Sequence, residues 1–140
     1  MRAITKEMIK IYKMKELGYD FMGYTFNRPE ELSFHHLIIP HRDCQRLGYG
    51  NGYELWNGAI LKQKTSHEYL HTIELYNRDL FLQITEYMIQ ENKNYKIDID
   101  TLRKIRQILL YFEEEYKNDT NSKGELLLKK KYLKERIDLK

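Results

Sequence analysis

Apolar residues recur at helical spacing in the first and last parts of the chain. Residues 3–17 place them every three or four positions, and Gly18 is well placed to end that helix. The same period returns over 78–92, after the candidate N-cap Asn77, and again after Asp100, which is a second candidate cap. The pattern therefore predicts one amphipathic helix at the start and at least two in the second half.

The segment between these helices has shorter apolar runs. Residues 19–26 alternate loosely, and the runs 32–39 and 55–61 have the length of strands, with a glycine-rich loop between them. A further helix is predicted to begin at His67, with Ser66 as its N-cap. Strand, loop, strand and helix therefore follow one another in this segment.

These elements predict an α+β fold in one domain covering 1–140. Its small β-containing core is expected at about 19–76, and packing helices at about 78–118. After a polar break, a basic helix is predicted for 124–140, as an extended arm or a dimer contact in a homodimer. At 140 residues the chain is long enough to bury a modest core.

The composition narrows the chemistry that is open to the chain. Cys44 is the only cysteine, so an internal disulfide and a CxxC zinc knuckle are excluded, and a metal site needs His, Asp, Glu or Asn ligands. The apolar runs fall short of the roughly 20 residues that cross a bilayer. The N-terminus has charges throughout and does not resemble a signal peptide. We expect a cytoplasmic protein with no membrane partner.

The net charge of +3 is unevenly distributed. Residues 1–17 carry +3 and residues 123–140 carry +4, which leaves −4 for the rest of the chain. Two basic ends suit a polyanionic partner, although solvated helix faces explain the same charges equally well.

All five histidines fall between positions 35 and 71. They form the adjacent pair His35 and His36, the single His41, and the pair His67 and His71. Residues four apart on a helix lie on one face, so the last two can share one metal ion. The clustering predicts a site in which histidine binds a metal or transfers protons.

The stretch from SFHHLIIP to WNGAILKQKTSHEYLH resembles the ββα-metal motif of HNH (His-Me finger) endonucleases, especially the colicin-type pattern HH…N…HxxxH. It covers about residues 32–75, and it implies a ββα-metal core with an N-terminal helix and additional C-terminal helices. The resemblance implies that His36 is the general base and that Asn57 holds the second strand or orients the base. The implied metal ligands are His35, His67 and His71.

The resemblance implies metal-dependent hydrolysis of phosphodiester bonds in DNA, with RNA as the alternative substrate. An imidazole is a suitable base for water at neutral pH, and one divalent ion stabilises the transition state. Three histidines favour Zn²⁺, Ni²⁺, Co²⁺ or Mn²⁺, with hydrated Mg²⁺ as the alternative. Zinc-knuckle cysteines are absent, as in the colicin-type members. Candidate phosphate contacts are Arg42, Arg46, Lys62 and Lys64.

Two other interpretations fit parts of the same pattern. His67 to His71 also reads HExxH, the motif of zinc metalloproteases, with Glu68 as base and Glu86 or Glu91 as a third ligand. A ββα module that binds nucleic acid without cutting it is the second alternative. The nuclease interpretation carries one geometric condition. Neighbouring strand residues face opposite ways, so His35 and His36 share a site only if the strand ends or bends there.

Overall fold

The computed structural model describes residues 1–139 and has a mixed α+β architecture. Its helices and strands are α1 (Ala3–Ile11), α2 (Met14–Leu17), β1 (Leu32–His36), α3 (His41–Cys44), β2 (Gly58–Lys62), α4 (Glu68–Tyr76), α5 (Arg78–Lys93), α6 (Ile99–Tyr116) and α7 (Lys130–Leu133). Short 3₁₀ helices cover Pro29–Glu31 and Leu55–Asn57, and a π-helical turn covers Gln63–His67. Within residues 1–139, no helix combines the length and apolar character needed to cross a bilayer.

The two strands form an antiparallel pair. Phe34 lies opposite Ile60, and His36 lies opposite Gly58. A Cβ on Gly58 would come within 2.4 Å of the Phe34 ring, so a glycine is required where these strands meet. Both strands are shorter than the sequence predicted, because the chain bends away after His36 and the second strand begins only after a 3₁₀ turn.

Helix α5 is the centre of the packing. It contacts α4, α6 and β2, while α1 packs against both strands. Its buried face includes Leu80, Ile84 and Met88, and α6 buries Leu102 and Ile105 against it. The apolar stripes predicted for these helices are therefore confirmed, because burying one face of each helix removes its apolar side chains from water.

Of the three predicted helix caps, Asn77 is confirmed, whereas Ser66 and Asp100 are wrong, since Ser66 lies within the π-helical turn that precedes α4. Asn77 Oδ1 accepts a hydrogen bond of 3.2 Å from the Leu80 N–H, as an N-cap does. The cap of α6 is Asp98 and not Asp100, because Asp98 has an extended backbone and accepts from the Thr101 N–H at 3.3 Å. Asp100 lies in the first turn, where a carboxylate interacts favourably with the helix dipole.

Two N-terminal predictions are also corrected. The first helix ends at Ile11, because Lys13 adopts a left-handed backbone (φ +52°) before α2 begins. Residues 19–26 form a turn and not a strand, since their only ladder contacts within residues 1–139 are isolated bridges. That turn brings Asp20 into the interior of the protein, where the residue is fully buried.

The C-terminal segment is not the basic helix predicted for 124–140. Within 124–139 only Lys130–Leu133 is helical, and the flanking chain forms turns, bends and isolated bridges against the body of the protein. Tyr132 is buried and stacks on Tyr69 with 4.6 Å between ring centroids. The Ile137 N–H donates to the Gly23 carbonyl at 3.0 Å. These tertiary contacts prevent the segment from projecting as a basic arm.

Glu91 is a buried acid in the core face of α5. Both carboxyl oxygens are buried without a hydrogen-bond partner among residues 1–139. Burial raises the pKa of Glu91 well above its ordinary value, and the nearby carboxylates of Asp20 and Asp98 raise it further.

We expect Glu91→Gln to increase stability at neutral pH. An unfolded chain releases this proton near pH 4.5, whereas the folded chain retains it to higher pH, so wild-type stability falls as pH rises above that value. The slope is about 1.4 kcal/mol per pH unit until the folded pKa is reached. Urea unfolding from pH 4 to 8 should show the variant gaining on wild type as pH rises. Glu115→Gln, an exposed change on α6, is the control, and equal slopes in wild type and Glu91→Gln would contradict the prediction.

Candidate active site

Three of the predicted site residues converge from three elements. His35 comes from β1, His67 from the end of the π-helical turn, and His71 from the second turn of α4. One potential ligand atom from each lies within 4.8 Å of the others. The three histidines are therefore close enough to bind one metal ion.

Ser33 determines which nitrogen of His67 faces the group. The Ser33 hydroxyl oxygen lies 3.3 Å from the Leu61 carbonyl and 2.8 Å from Nδ1 of His67, and when it donates to that carbonyl it accepts from the N–H at Nδ1. Nε2 of His67 then carries the lone pair, and it lies 3.3 Å from Nδ1 of His35. An outer hydrogen bond of this kind fixes the orientation of a metal-binding imidazole.

Glu74 performs the same role for His71. Its Oε1 lies 3.2 Å from Nδ1 of His71, and its Oε2 lies 3.3 Å from the guanidinium of Arg78. Because a carboxylate only accepts, Nδ1 of His71 is the donor and Nε2 carries the lone pair. His71 is exposed, so the group opens to solvent on this side.

His35 occupies the dry end of the group. It is 3% exposed, and its Nε2 is buried without a hydrogen-bond partner among residues 1–139. Burial and the neighbouring imidazoles lower the pKa of His35 well below its ordinary value, and the same causes lower the pKa of His67 to about 4. Both are neutral at physiological pH, which is the form that binds a metal.

The donor set fits a divalent transition metal. Two nitrogens bound to one tetrahedral ion at about 2.0–2.1 Å lie about 3.3–3.4 Å apart. The nitrogens of His35 and His67 are separated by 3.3 Å, which agrees with that geometry. Three neutral imidazoles favour Zn²⁺, Ni²⁺ or Co²⁺ over Mg²⁺, because hard cations prefer oxygen ligands.

His36 faces away from His35 but lines the same cavity. Its ring contacts Tyr53, at 4.6 Å between centroids, and the exposed His41, at 4.9 Å. Its Nε2 lies 2.9 Å from the Asn51 carbonyl, which only accepts, so Nδ1 carries the lone pair. Burial lowers the pKa of His36, and the hydrogen bond to this carbonyl offsets part of that change. Because β1 ends at His36, the two adjacent histidines can open onto one cavity.

The cavity has a volume of about 970 Å³ and includes the side chains of all four predicted histidines. One wall is the loop after β1, with His41, Arg42 and Tyr53. Another part of the lining comes from α5, with Arg78 and Phe81. The cavity therefore combines the three-histidine group, a candidate base and two arginines from different elements.

Asn57 is fully buried and holds the loop after β1 in place. Its Oδ1 accepts from the N–H groups of Ile38 and Ile39, at 2.9 and 2.8 Å. Its Nδ2 donates to the carbonyls of Ile39 and Gly52, at 3.0 and 3.2 Å. Asn51, the residue before Gly52, supplies the carbonyl that accepts a hydrogen bond from Nε2 of His36. Asn57 thus positions His36, the candidate base, through the backbone of this loop and does not itself face the histidines.

The predicted phosphate contacts divide into two groups. Arg42 lines the cavity and Arg46 is exposed nearby. Lys62 instead forms an ion pair with Glu135 of the C-terminal segment, so its charge already has an acidic partner. Lys64 is exposed on the π-helical turn. Arg78 was missed, because nothing near it in the sequence indicated that the start of α5 would face the histidines.

Asp20 and Ser66 position His67, and sequence reasoning missed both roles. Ser66 was predicted as a helix cap, but its hydroxyl donates to the buried carboxylate of Asp20. That carboxylate also accepts from the Lys62 N–H at 2.8 Å. Burial raises the pKa of Asp20, and its hydrogen bonds offset part of the rise. A lone acid in the apolar run 19–26 was the available signal.

The contacts of Glu68 count against the protease interpretation. Its Oε1 accepts from the Tyr132 hydroxyl at 2.7 Å and pairs with Lys131 at 2.7 Å and Lys129 at 3.4 Å. Burial raises the pKa of Glu68, but these donors outweigh it and lower the pKa to about 2. A carboxylate held in this way is a poor base for water. Of the two downstream ligands considered, Glu86 lines the cavity and Glu91 is buried in the core.

No protein-family model, curated protein or solved structure matches the chain. The functional argument therefore depends on the geometry of the histidines and their partners, together with the sequence motif.

We expect the chain to bind one Zn²⁺ or Co²⁺ ion with Ser33-dependent affinity. Removing the hydroxyl in Ser33→Ala frees His67 to rotate, which should weaken binding about 10- to 100-fold. His35→Ala should remove most of the affinity. Competition against a metal indicator, together with Co²⁺ absorption, measures both effects. His41→Ala is the histidine control, and unchanged affinity in His35→Ala would rule out this site.

Proposed function

We propose that this chain is a metal-dependent HNH endonuclease that hydrolyses phosphodiester bonds of DNA, with β1, β2 and α4 as its ββα-metal core. One observation carries the proposal. One potential ligand nitrogen from each of His35, His67 and His71 lies within 4.8 Å of the others, and His36, which follows His35 in β1, opens onto the same cavity. The order of these residues in the chain also agrees with the colicin-type motif.

His36 is the proposed general base. Hydrolysis begins when its Nδ1 lone pair takes a proton from the attacking water. The Asn51 carbonyl, 2.9 Å from Nε2, fixes the ring and stabilises the positive charge that the ring gains. Since burial lowers the pKa of His36, its ring is neutral and ready to accept a proton at physiological pH.

His35, His67 and His71 would hold the divalent ion. When bound there, the ion supplies positive charge that offsets the charge developing at phosphorus and on the leaving oxygen. Ser33 and Glu74 keep two of the three rings in the binding orientation. Neutral ligands leave the full charge of the ion available to the substrate.

Arg42 and Arg78 are the proposed phosphate contacts. Both line the cavity, and a guanidinium can donate two hydrogen bonds to one phosphate. The partners of both arginines, Asp43 at 3.8 Å and Glu74 at 3.3 Å, form exposed ion pairs, which are weak. A phosphate can therefore compete for them.

We expect His36→Ala to lose most nuclease activity while it retains metal binding. Removing a general base typically costs about 10²- to 10⁴-fold in rate. Plasmid nicking with Mn²⁺, Zn²⁺ and Ni²⁺ measures the activity, and Co²⁺ absorption measures the metal site. Gln107→Ala, an exposed change on α6, is the control. If wild type and His36→Ala are equally inert with every metal and still bind DNA, the chain is a non-catalytic module.

We expect Glu68→Gln to retain nuclease activity, because its carboxylate contacts the C-terminal segment and not the cavity. Wild type and Glu68→Gln should both show no casein hydrolysis above background. Casein cleavage by wild type that disappears in Glu68→Gln would select the zinc metalloprotease instead.

A further inference from the structure

The loop between β1 and β2 exposes two aromatic side chains that the proposed catalysis does not use. Tyr49 is 48% exposed and Trp56 is 40% exposed. Their rings meet edge to face, with 5.3 Å between centroids. Leu47, on the same loop, is exposed as well. Clustered exposed apolar residues commonly mark an interaction surface, since burying them would otherwise be favourable.

This loop is also one wall of the proposed catalytic cavity. His41, Arg42 and Tyr53 line the cavity, and the Asn51 carbonyl holds His36. A polymer bound to the exposed rings is therefore held by the same loop that lines the proposed catalytic cavity.

Two arginines on this loop are available to an anionic partner. Arg42 and Arg46 are exposed and share one carboxylate, Asp43, at 3.8 and 3.5 Å. Glu54 is the other acid in this loop and is also exposed. Arg42 lies in α3 and lines the cavity, and Arg46 lies just after α3, three residues before Tyr49. Arginines and exposed aromatic rings on one surface loop are the combination that binds single-stranded nucleic acid.

We propose that Tyr49 and Trp56 form a base-stacking platform for single-stranded DNA, and that a single strand is the preferred substrate of the site. This inference rests on the proposed nuclease function. Bases in a duplex already stack on their neighbours, whereas the bases of a single strand are free to stack on protein rings. The recessed position of His35 favours the same substrate, because this histidine is only 3% exposed and lines the cavity together with residues of the loop and of α5.

Trp56 is the only tryptophan in the chain, so its fluorescence reports directly on this surface. Full-length protein in EDTA, where cleavage cannot proceed, is titrated with an oligo-dT strand and with a mixed-sequence duplex of equal length. We expect the single strand to quench the emission and the duplex to do so only at much higher concentration. Equal quenching by the two, or none by the single strand, would overturn the proposal.

Affinity for a labelled oligo-dT strand, measured by anisotropy, provides the second test. Loss of one stacked base should weaken binding about 5- to 100-fold in Trp56→Ala. Trp56→Phe retains a ring and should recover most of the affinity. Tyr111→Ala, an equally exposed aromatic on α6, is the matched control. Thermal unfolding of each variant shows whether a loss of binding is a loss of fold, and Trp56→Phe keeps the test decisive if Trp56→Ala unfolds.

The outcomes separate this inference from the proposed function. Binding that depends on Trp56, with wild type inert on every substrate, would support the platform and contradict the nuclease. Cleavage by wild type that is the same in Trp56→Ala would support the nuclease and overturn the platform. Emission that changes with protein concentration and not with DNA would make this face a contact between copies of the chain, which also overturns the platform.

Discussion

The buried carboxylate of Asp20 is the interaction on which the histidine group depends. It binds the Ser66 hydroxyl and the Lys62 N–H, and so holds the π-helical turn against the end of β2. His67 is the next residue after Ser66, so its position follows from this contact. A buried charge is costly unless donors surround it. Here the N–H groups of Met22 and Tyr24 bind one carboxylate oxygen, and Lys62 and Ser66 bind the other. The need of the Asp20 carboxylate for hydrogen-bond donors therefore determines the position of His67.

The three converging histidines differ in exposure and share one electronic feature. His35 is buried, His67 is half-buried and His71 is exposed. Hydrogen bonds to Ser33 and Glu74 assign the N–H of two rings, which directs their remaining lone pairs into the group. Lone pairs directed at one another repel unless a proton or a cation lies between them. The outer partners therefore prepare the group for a cation before any ion arrives.

The helices with a periodic apolar pattern could be predicted from the sequence, whereas the contacts between distant parts of the chain could not. The stripes of α5 and α6 follow from local spacing, and so does the cap at Asn77, because a helix records its buried face in its own sequence. Asp98 and Asp100 are the same residue type two positions apart, so local chemistry could not choose between them. The C-terminal segment has helical spacing, but stacking of Tyr132 on Tyr69 and contacts to the turn near Gly23 override it.

The histidine grouping was visible in the sequence because metal-binding side chains of one type were concentrated between positions 35 and 71. The partners that orient them were not visible. Ser33, Glu74 and Asp20 are common residue types with no distinguishing spacing, and their roles arise only from the pairing of β1 with β2 and the turn that follows. Orientation of a site is therefore a property of the tertiary structure, whereas its ligand types are a property of the sequence.

The contact between the C-terminal segment and the first turn of α4 has a consequence for biosynthesis. Glu68 is held by Lys131 and Tyr132, which lie more than 60 positions further along the chain. A nascent chain that contains α4 but not yet residues 131 and 132 lacks the residues that anchor the first turn of this helix. The helix that carries His71 therefore gains this anchor only after a further 60 or so residues have been synthesised.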